Sequence, residues 1–198
     1  MRSKIEIVGW LACVVYSTIP AFWLVIHPFA GRWRARRRSP YRLLIPLWVA
    51  TWVVTALATC PWRHAASYDV WWTWILAAVL FSAGLFLYAK SFRGFSAAQL
   101  GGIPEVRAAS RGQQLVTIGI RARVRHPIYL AHLCEMLAWS LGTGLIACWG
   151  LTALSLVSGA VMIRMEDAEM ERRFGNEFRA YRESVPAFLP RVFHVRQL

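Results

Sequence analysis

Arg125-His126-Pro127-Ile128-Tyr129 sets a guanidinium, an imidazole and a phenol around a proline, and the acidic pair Glu166-Asp167 follows after two apolar stretches. Proline is well tolerated as the first residue of a helix, where its missing N–H is not needed. If a helix starts at Pro127, His126 and Tyr129 lie three apart and share a face. His132 and Glu135 continue that ladder. Guanidinium and imidazolium groups suit a carboxylate or phosphate, whereas Glu166 and Asp167 accept hydrogen bonds from amines and hydroxyls. Together they are equipped to hold a charged, water-soluble ligand beside an apolar one. Two readings of the first cluster stay open. Either it builds a site, or Arg123, Arg125 and His126 anchor a helix to phosphate headgroups while Tyr129 sits in an aromatic belt. Glu135 lies nine residues past His126, about 13 Å along a helix axis, at a depth where ionisable groups are costly in lipid and face a cavity or a bundle interior. His132 and Glu135 therefore either line a cavity or satisfy each other in a local hydrogen bond. Arg164, just before the acidic pair, is a further polar candidate at the same edge.

The elements that position these residues are apolar runs. Of 198 residues, 57% are hydrophobic and eleven are Trp, and the mean hydropathy is +0.40, well above the roughly 45–50% apolar content of soluble domains. A membrane helix needs about 20 apolar residues. Ile5 to Phe29, Leu43 to Cys60 and Val70 to Tyr88 qualify, and Ile128 to Leu141 with Leu145 to Ile163 form a hairpin around Gly142-Thr143-Gly144. The expected fold is all-α and membrane-integral, with about five transmembrane helices, a C-terminal helical hairpin and a cytoplasmic amphipathic helix. It forms a single membrane domain over 1–198, with the first three spans in 1–88 and a cofactor loop, hairpin and terminal helix in 89–198. The net charge of +13 could suggest nucleic acid, but twenty of the 23 Lys and Arg fall on alternate connections and the tail. That pattern orients a bundle with its amino terminus outside and its carboxyl terminus inside, and no nucleic acid or obligate protein partner is expected. Ile5 to Phe29 is long and followed by basic residues, so it reads as a span and not as a cleaved signal. Met170, Phe174, Phe178 and Tyr181 mark one helical face after the hairpin, leaving Glu169, Glu171 and Glu177 as a solvated outer face. Ser96 to Gly112 reads as a cytoplasmic loop. Cys13, Cys60, Cys134 and Cys148 fall in or beside apolar segments without ligand spacing, so they read as packing residues, with no disulfide or metal site expected.

The ordered set Leu115-Val116-Thr117, Gly119, RHPIY at 125–129, a hairpin, Glu166-Asp167, Phe174-Gly175, Tyr181, Val185-Pro186 and Leu189-Pro190 resembles the isoprenylcysteine carboxyl methyltransferase family. Related phospholipid methyltransferases of membranes share the sketch, and the match covers about Gln113 to Arg191. The resemblance implies S-adenosylmethionine bound on the cytoplasmic side by Gln113, Gln114, Leu115 and Val116, by His126, Pro127, Ile128 and Tyr129, and by Glu166 with Asp167. It also implies a lipophilic methyl acceptor in the membrane, for which His132, Glu135 and Arg164 are the substrate-side candidates. The chain departs from the family at three places. Arg121 and Ala122 stand where an aromatic residue usually precedes the motif, Asp167 replaces the second Glu, and Met162 stands at the family's substrate-contacting Arg. A carboxylate acceptor needs no general base, whereas an amine or thiol does, with His132 or Glu135 nearest. A sterol-type membrane reductase, which also carries an arginine-histidine-proline motif near a final hairpin, and a non-enzymatic membrane protein are the alternatives.

Overall fold

The computed structural model describes residues 2–35, 39–93, 106 and 114–189. Helix α1 is Arg2–Ile26, α2 is Ala30–Ala35 and α3 is Tyr41–Thr59, followed by a 3₁₀ turn at Cys60–Trp62; α4 is Thr73–Phe92. A second 3₁₀ turn, Gly119–Ala122, precedes α5 (Pro127–Thr143), α6 (Ile146–Phe174) and α7 (Asn176–Ser184). Extended pairing among the described residues is limited to an isolated antiparallel bridge between Ala66 and Leu145.

Four helices are long and apolar enough to cross a bilayer, within Lys4–Ile26, Tyr41–Trp62, Thr73–Phe92 and Ile146–Phe174. The first arm of the hairpin, α5, has 17 residues. At about 1.5 Å per residue it reaches roughly 25 Å, short of the ~30 Å hydrocarbon core. Pro20 and Pro46 lie inside α1 and α3, where neighbouring helices can compensate the lost backbone bond.

The surface is compatible with lipid as the surrounding solvent. Leu43, Val54 and Leu57 on α3, Val79 and Leu85 on α4, and Val157 on α6 are all more than half exposed, an apolar girdle too extensive for a protein in water. Trp62, Trp71 and Trp72 are exposed at one end of the bundle, as expected of an interfacial aromatic belt. The interior is formed chiefly by α4 packed along α5 and α1 packed along α6. Its centre is Trp10, Cys13, Val14, Met136, Leu145, Cys148 and Leu151. Tryptophan N–H groups that would be costly in hydrocarbon are satisfied between α1 and α3: Trp10 Nε1 donates to Thr59 Oγ1 at 2.9 Å and Trp48 Nε1 to Thr18 Oγ1 at 3.0 Å. Cys13 and Cys148 are buried free thiols in contact across α1 and α6, in keeping with a packing role.

The hairpin turns where the glycines lead one to expect. Thr143 is the last residue of α5, and Gly144 caps it in the left-handed region at φ 67°. Residues 65–68 clamp the turn. Ile146 N donates to Ala65 O at 2.9 Å, Ser67 N to Gly144 O at 2.9 Å, and the Tyr68 hydroxyl to the carbonyls of Ser140 and Leu141 at 3.2 and 3.1 Å. The helix after the hairpin corrects the sequence reading. α6 runs unbroken from the apolar arm into the acidic segment, and the stripe expected to continue along it is interrupted by Gly175 at φ 57°, so that Phe178 and Tyr181 belong to the separate helix α7.

Gly144→Ala is the sharpest test of this architecture. A Cβ there would sit 2.4 Å from the Tyr68 carbonyl oxygen in a backbone conformation that disfavours side chains. The variant should lose about 1–3 kcal/mol, read as a lower unfolding midpoint in detergent, whereas Gly150→Ala, which meets nothing within 4 Å, should not.

Candidate functional site

The ends of α1, α5 and α6 opposite the clamped turn carry the charge. α6 has 29 residues, roughly 43 Å at about 1.5 Å per residue, so its last two or three turns project beyond a ~30 Å hydrocarbon core. Glu166 and Asp167 fall near the point of emergence, level with His126 at the start of α5. His126 is its N-cap residue and Pro127 its first residue, as the proline leads one to expect.

The acidic pair grips the basic motif from two sides. His126 Nδ1 lies 3.4 Å from Glu166 Oε2 and His126 Nε2 lies 3.1 Å from Asp167 Oδ1. Arg125 Nη2 donates to Asp167 Oδ2 at 2.9 Å. The Tyr129 ring stacks on His126 with centroids 5.8 Å apart, which brings its phenol to the Glu166 side of the cluster. Arg125 and His126 also hold the segment after α7. Arg125 Nη1 donates to the carbonyls of Arg182 and Val185 at 2.8 and 2.7 Å, and the backbone N–H groups of Arg125 and His126 donate to Pro186 and Ala187. The arginine is therefore a structural clamp and not a free headgroup anchor.

Of the other residues singled out by sequence, Leu115 and Val116 are half-buried, Gln114 is exposed and Gln113 lies outside the described residues. Ile128 is half-buried on α5. Arg164 is exposed while its neighbours Met162 and Ile163 are buried, so it is turned away from the cluster. His132 and Glu135 part company. His132 lines a cleft between α1, α5 and α6 together with Tyr16, Pro20, Tyr129, Gly159 and Phe188. Glu135 is buried towards α4, where a Cβ on Gly84 would come within 2.8 Å of its Oε1. That oxygen has no hydrogen-bond partner, so the local His132 to Glu135 bond allowed by their spacing is not what holds them.

Two residues escaped the sequence reading. His27, just past α1, is 3% exposed and stacks on Trp23 with centroids 5.3 Å apart, its Nε2 4.0 Å from Glu166 Oε2. Glu169, expected on a solvated face, is instead 3% exposed and ion-paired with Arg34 of α2. Glu171 behaves as expected of the outer face, bridging Arg179 and Arg182 at 2.6 and 2.8 Å. Neither His27 nor Arg34 forms a motif with a residue about 135 positions away, and only helix packing brings them together. The offset of three from Glu166 to Glu169 was the one available signal, since it puts both carboxylates on one face.

No family model and no solved structure matches the chain. An uncharacterized protein of Haemophilus influenzae is 35% identical over 63 residues, which is 31% of this chain and the whole of that protein. The chain belongs to that protein's family. The relationship covers about a third of the chain and names no activity.

Two outcomes follow from the charges. Burial opposes a charge on His126, but the carboxylates of Glu166 and Asp167 outweigh it and raise its pKa from 6.5 to about 9. A raised folded-state value means stability that is fully present below pH 6.5 and lost as pH climbs through about 9. The unfolding midpoint should fall across that window, and His126→Gln should flatten the fall. Separately, Arg34→Met strands the buried Glu169 carboxylate and should cost about 3 kcal/mol in chemical denaturation, while Arg34→Met with Glu169→Met should recover most of that loss.

Proposed function

We propose that this chain is an S-adenosylmethionine-dependent methyltransferase acting on a lipophilic, membrane-resident substrate, with its donor site on the cytoplasmic side. One observation carries the reading: Tyr129 belongs to both compartments, stacked on His126 in the charged cluster and lining the apolar cleft that opens between α1, α5 and α6. A polar donor and an apolar acceptor held on either side of one phenol are adjacent without sharing a solvent.

The residues fit the donor. Glu166 Oε2 is buried without a hydrogen bond of good geometry, as are both ring nitrogens of His27. These are open positions for an ammonium, a ribose hydroxyl or an adenine edge. The buried Nε of Arg125, which makes no hydrogen bond, is an open charged donor for a carboxylate. When bound, S-adenosylmethionine supplies an electrophilic sulfonium methyl. The protein's own task is alignment and exclusion of water, an effect worth about 7–11 kcal/mol in favourable cases. Here α5 and α6 serve alignment by fixing His126, Tyr129 and Glu166 on two rigid helices, and Pro20, Phe188 and Gly159 form the apolar wall that keeps water out. The same reading makes the arginine-rich end of the bundle cytoplasmic, counts α5 as a fifth crossing and places the amphipathic α7 on the inner face.

Equilibrium binding of S-adenosylhomocysteine to the purified protein in detergent tests the assignment. Glu166→Gln should weaken it by roughly 10- to 100-fold, in line with about 1.5–3 kcal/mol for a hydrogen bond to a charged group, and Glu171→Gln should leave it unchanged. Binding of a nicotinamide cofactor in its place would point to the reductase alternative, and binding of neither to a non-enzymatic role. Reporter fusions at Ala35 and Ser67 should read inside and outside; the reverse would put the charged cluster on the wrong face for a cytosolic donor.

A further inference from the structure

His132 stands at the centre of a polar set buried among the helices, on the cleft side of α5. Its ring contacts Tyr16 of α1, Tyr88 of α4 and Tyr129 of its own helix, with centroids 5.3, 5.4 and 6.2 Å away. The Tyr16 and Tyr88 rings thus flank His132 from two other helices, and Glu135 is buried one turn further along α5. The Glu135 carboxylate is admitted by Gly84, because any side chain at that position would collide with it. Three helices enclose the imidazole, with tyrosines around it and that buried carboxyl group one turn further along α5. The cleft itself is otherwise apolar, its remaining polar groups being Tyr16, Tyr129 and Ser155.

We infer that His132 is the general base of this site and that the acceptor is a lipid thiol or amine, an acceptor atom that must give up a proton as it is methylated. This rests on the methyltransferase reading above. The acceptor's X–H proton passes to the imidazole of His132 as the acceptor's electron pair forms the new X–CH₃ bond. The donor's S–CH₃ bond breaks with its pair retained on sulfur, leaving a neutral thioether. The sulfonium charge is thereby replaced by an imidazolium charge. A carboxylate acceptor fits these surroundings badly. It needs no base, and it would enter an apolar cleft as a bare anion at a cost of several kcal/mol. Arg164, the family-like candidate for neutralising it, is exposed on another face of α6.

The experiment uses the full chain in detergent with S-adenosylmethionine labelled in its methyl group and four acceptors of one chain length: hexadecanethiol, hexadecylamine, hexadecanol and palmitate. Label should pass to the thiol or the amine, which of the two distinguishing the acceptor class, and not to palmitate. His132→Gln should lower kcat by roughly 100-fold or more with S-adenosylhomocysteine affinity unchanged, which also certifies that the variant is folded. As a readout independent of turnover, the His132 imidazole resonance in nitrogen-15-histidine spectra, assigned by its loss in His132→Gln, should move on addition of the reactive lipid without donor and stay put with palmitate. Transfer to palmitate, transfer to neither thiol nor amine by a protein that binds S-adenosylhomocysteine, or a fully active His132→Gln overturns this inference alone. Failure to bind S-adenosylhomocysteine at all overturns the methyltransferase reading and this inference with it.

Discussion

Charge at the edge of a bilayer has to be neutralised by other protein charge, and that constraint organises the molecule. Glu166 and Asp167 leave the hydrocarbon on α6 beside Arg125 and His126 at the head of α5, and the three ion pairs between them lie at 3.4, 3.1 and 2.9 Å. Carboxylates at that depth are expensive if left alone, so the helix pair has one axial register in which both are matched. A shift of α6 by a turn would carry Glu166 about 5 Å away from His126 and strand all four groups. The opposite end of the bundle enforces the same register by different means, since residues 65–68 hold the turn through backbone bonds to Gly144 and Ile146. Between these two fixed ends the interior can be filled by side chains as undemanding as Cys13, Cys148 and Ala147.

With the helices held in register, the division of labour between compartments follows from the polarity of their faces. α5 turns His126 and Tyr129 towards Glu166, His132 towards the cleft and Glu135 towards α4. A single helix thereby supplies a polar pocket at the interface, a wall of the apolar cleft and a buried carboxyl group. The 60° offset between residues three apart is enough to achieve this, because each of three neighbours takes a different sector of the helix surface.

Sequence reading went furthest where the physics is local. Runs of apolar residues bounded by charge specify helices in lipid, and Gly142 to Gly144 between two such runs marks the hairpin. Pro127 marks where α5 begins. The contact between His126 and Glu166 was within reach because a hairpin of known arm length returns the chain to the edge it left. What could not be read were contacts set by how separate helices lie against one another. Glu169 looks like a surface residue until α2 brings Arg34 to it, and His27 looks like a helix terminus until α1 is laid along α6. The His132 to Glu135 ladder was true of the spacing and misleading about the surroundings, since a shared helical face has width enough to be divided between two neighbours. Gly175 hid for the same reason: the stripe from Met170 to Tyr181 satisfies helical periodicity straight through a break.

The grip of Arg125 and His126 on the carbonyls of residues 182–187 has a bearing on how the protein is made. The apolar helices can enter the membrane in the order of synthesis, yet Arg125 Nη1 keeps its donors unmatched until the segment beyond α7 has been made and has folded back. The charged pocket is therefore completed only after the helices that frame it. Until then Arg125 holds its ion pair to Asp167, and anionic headgroups are natural temporary partners for its spare donors.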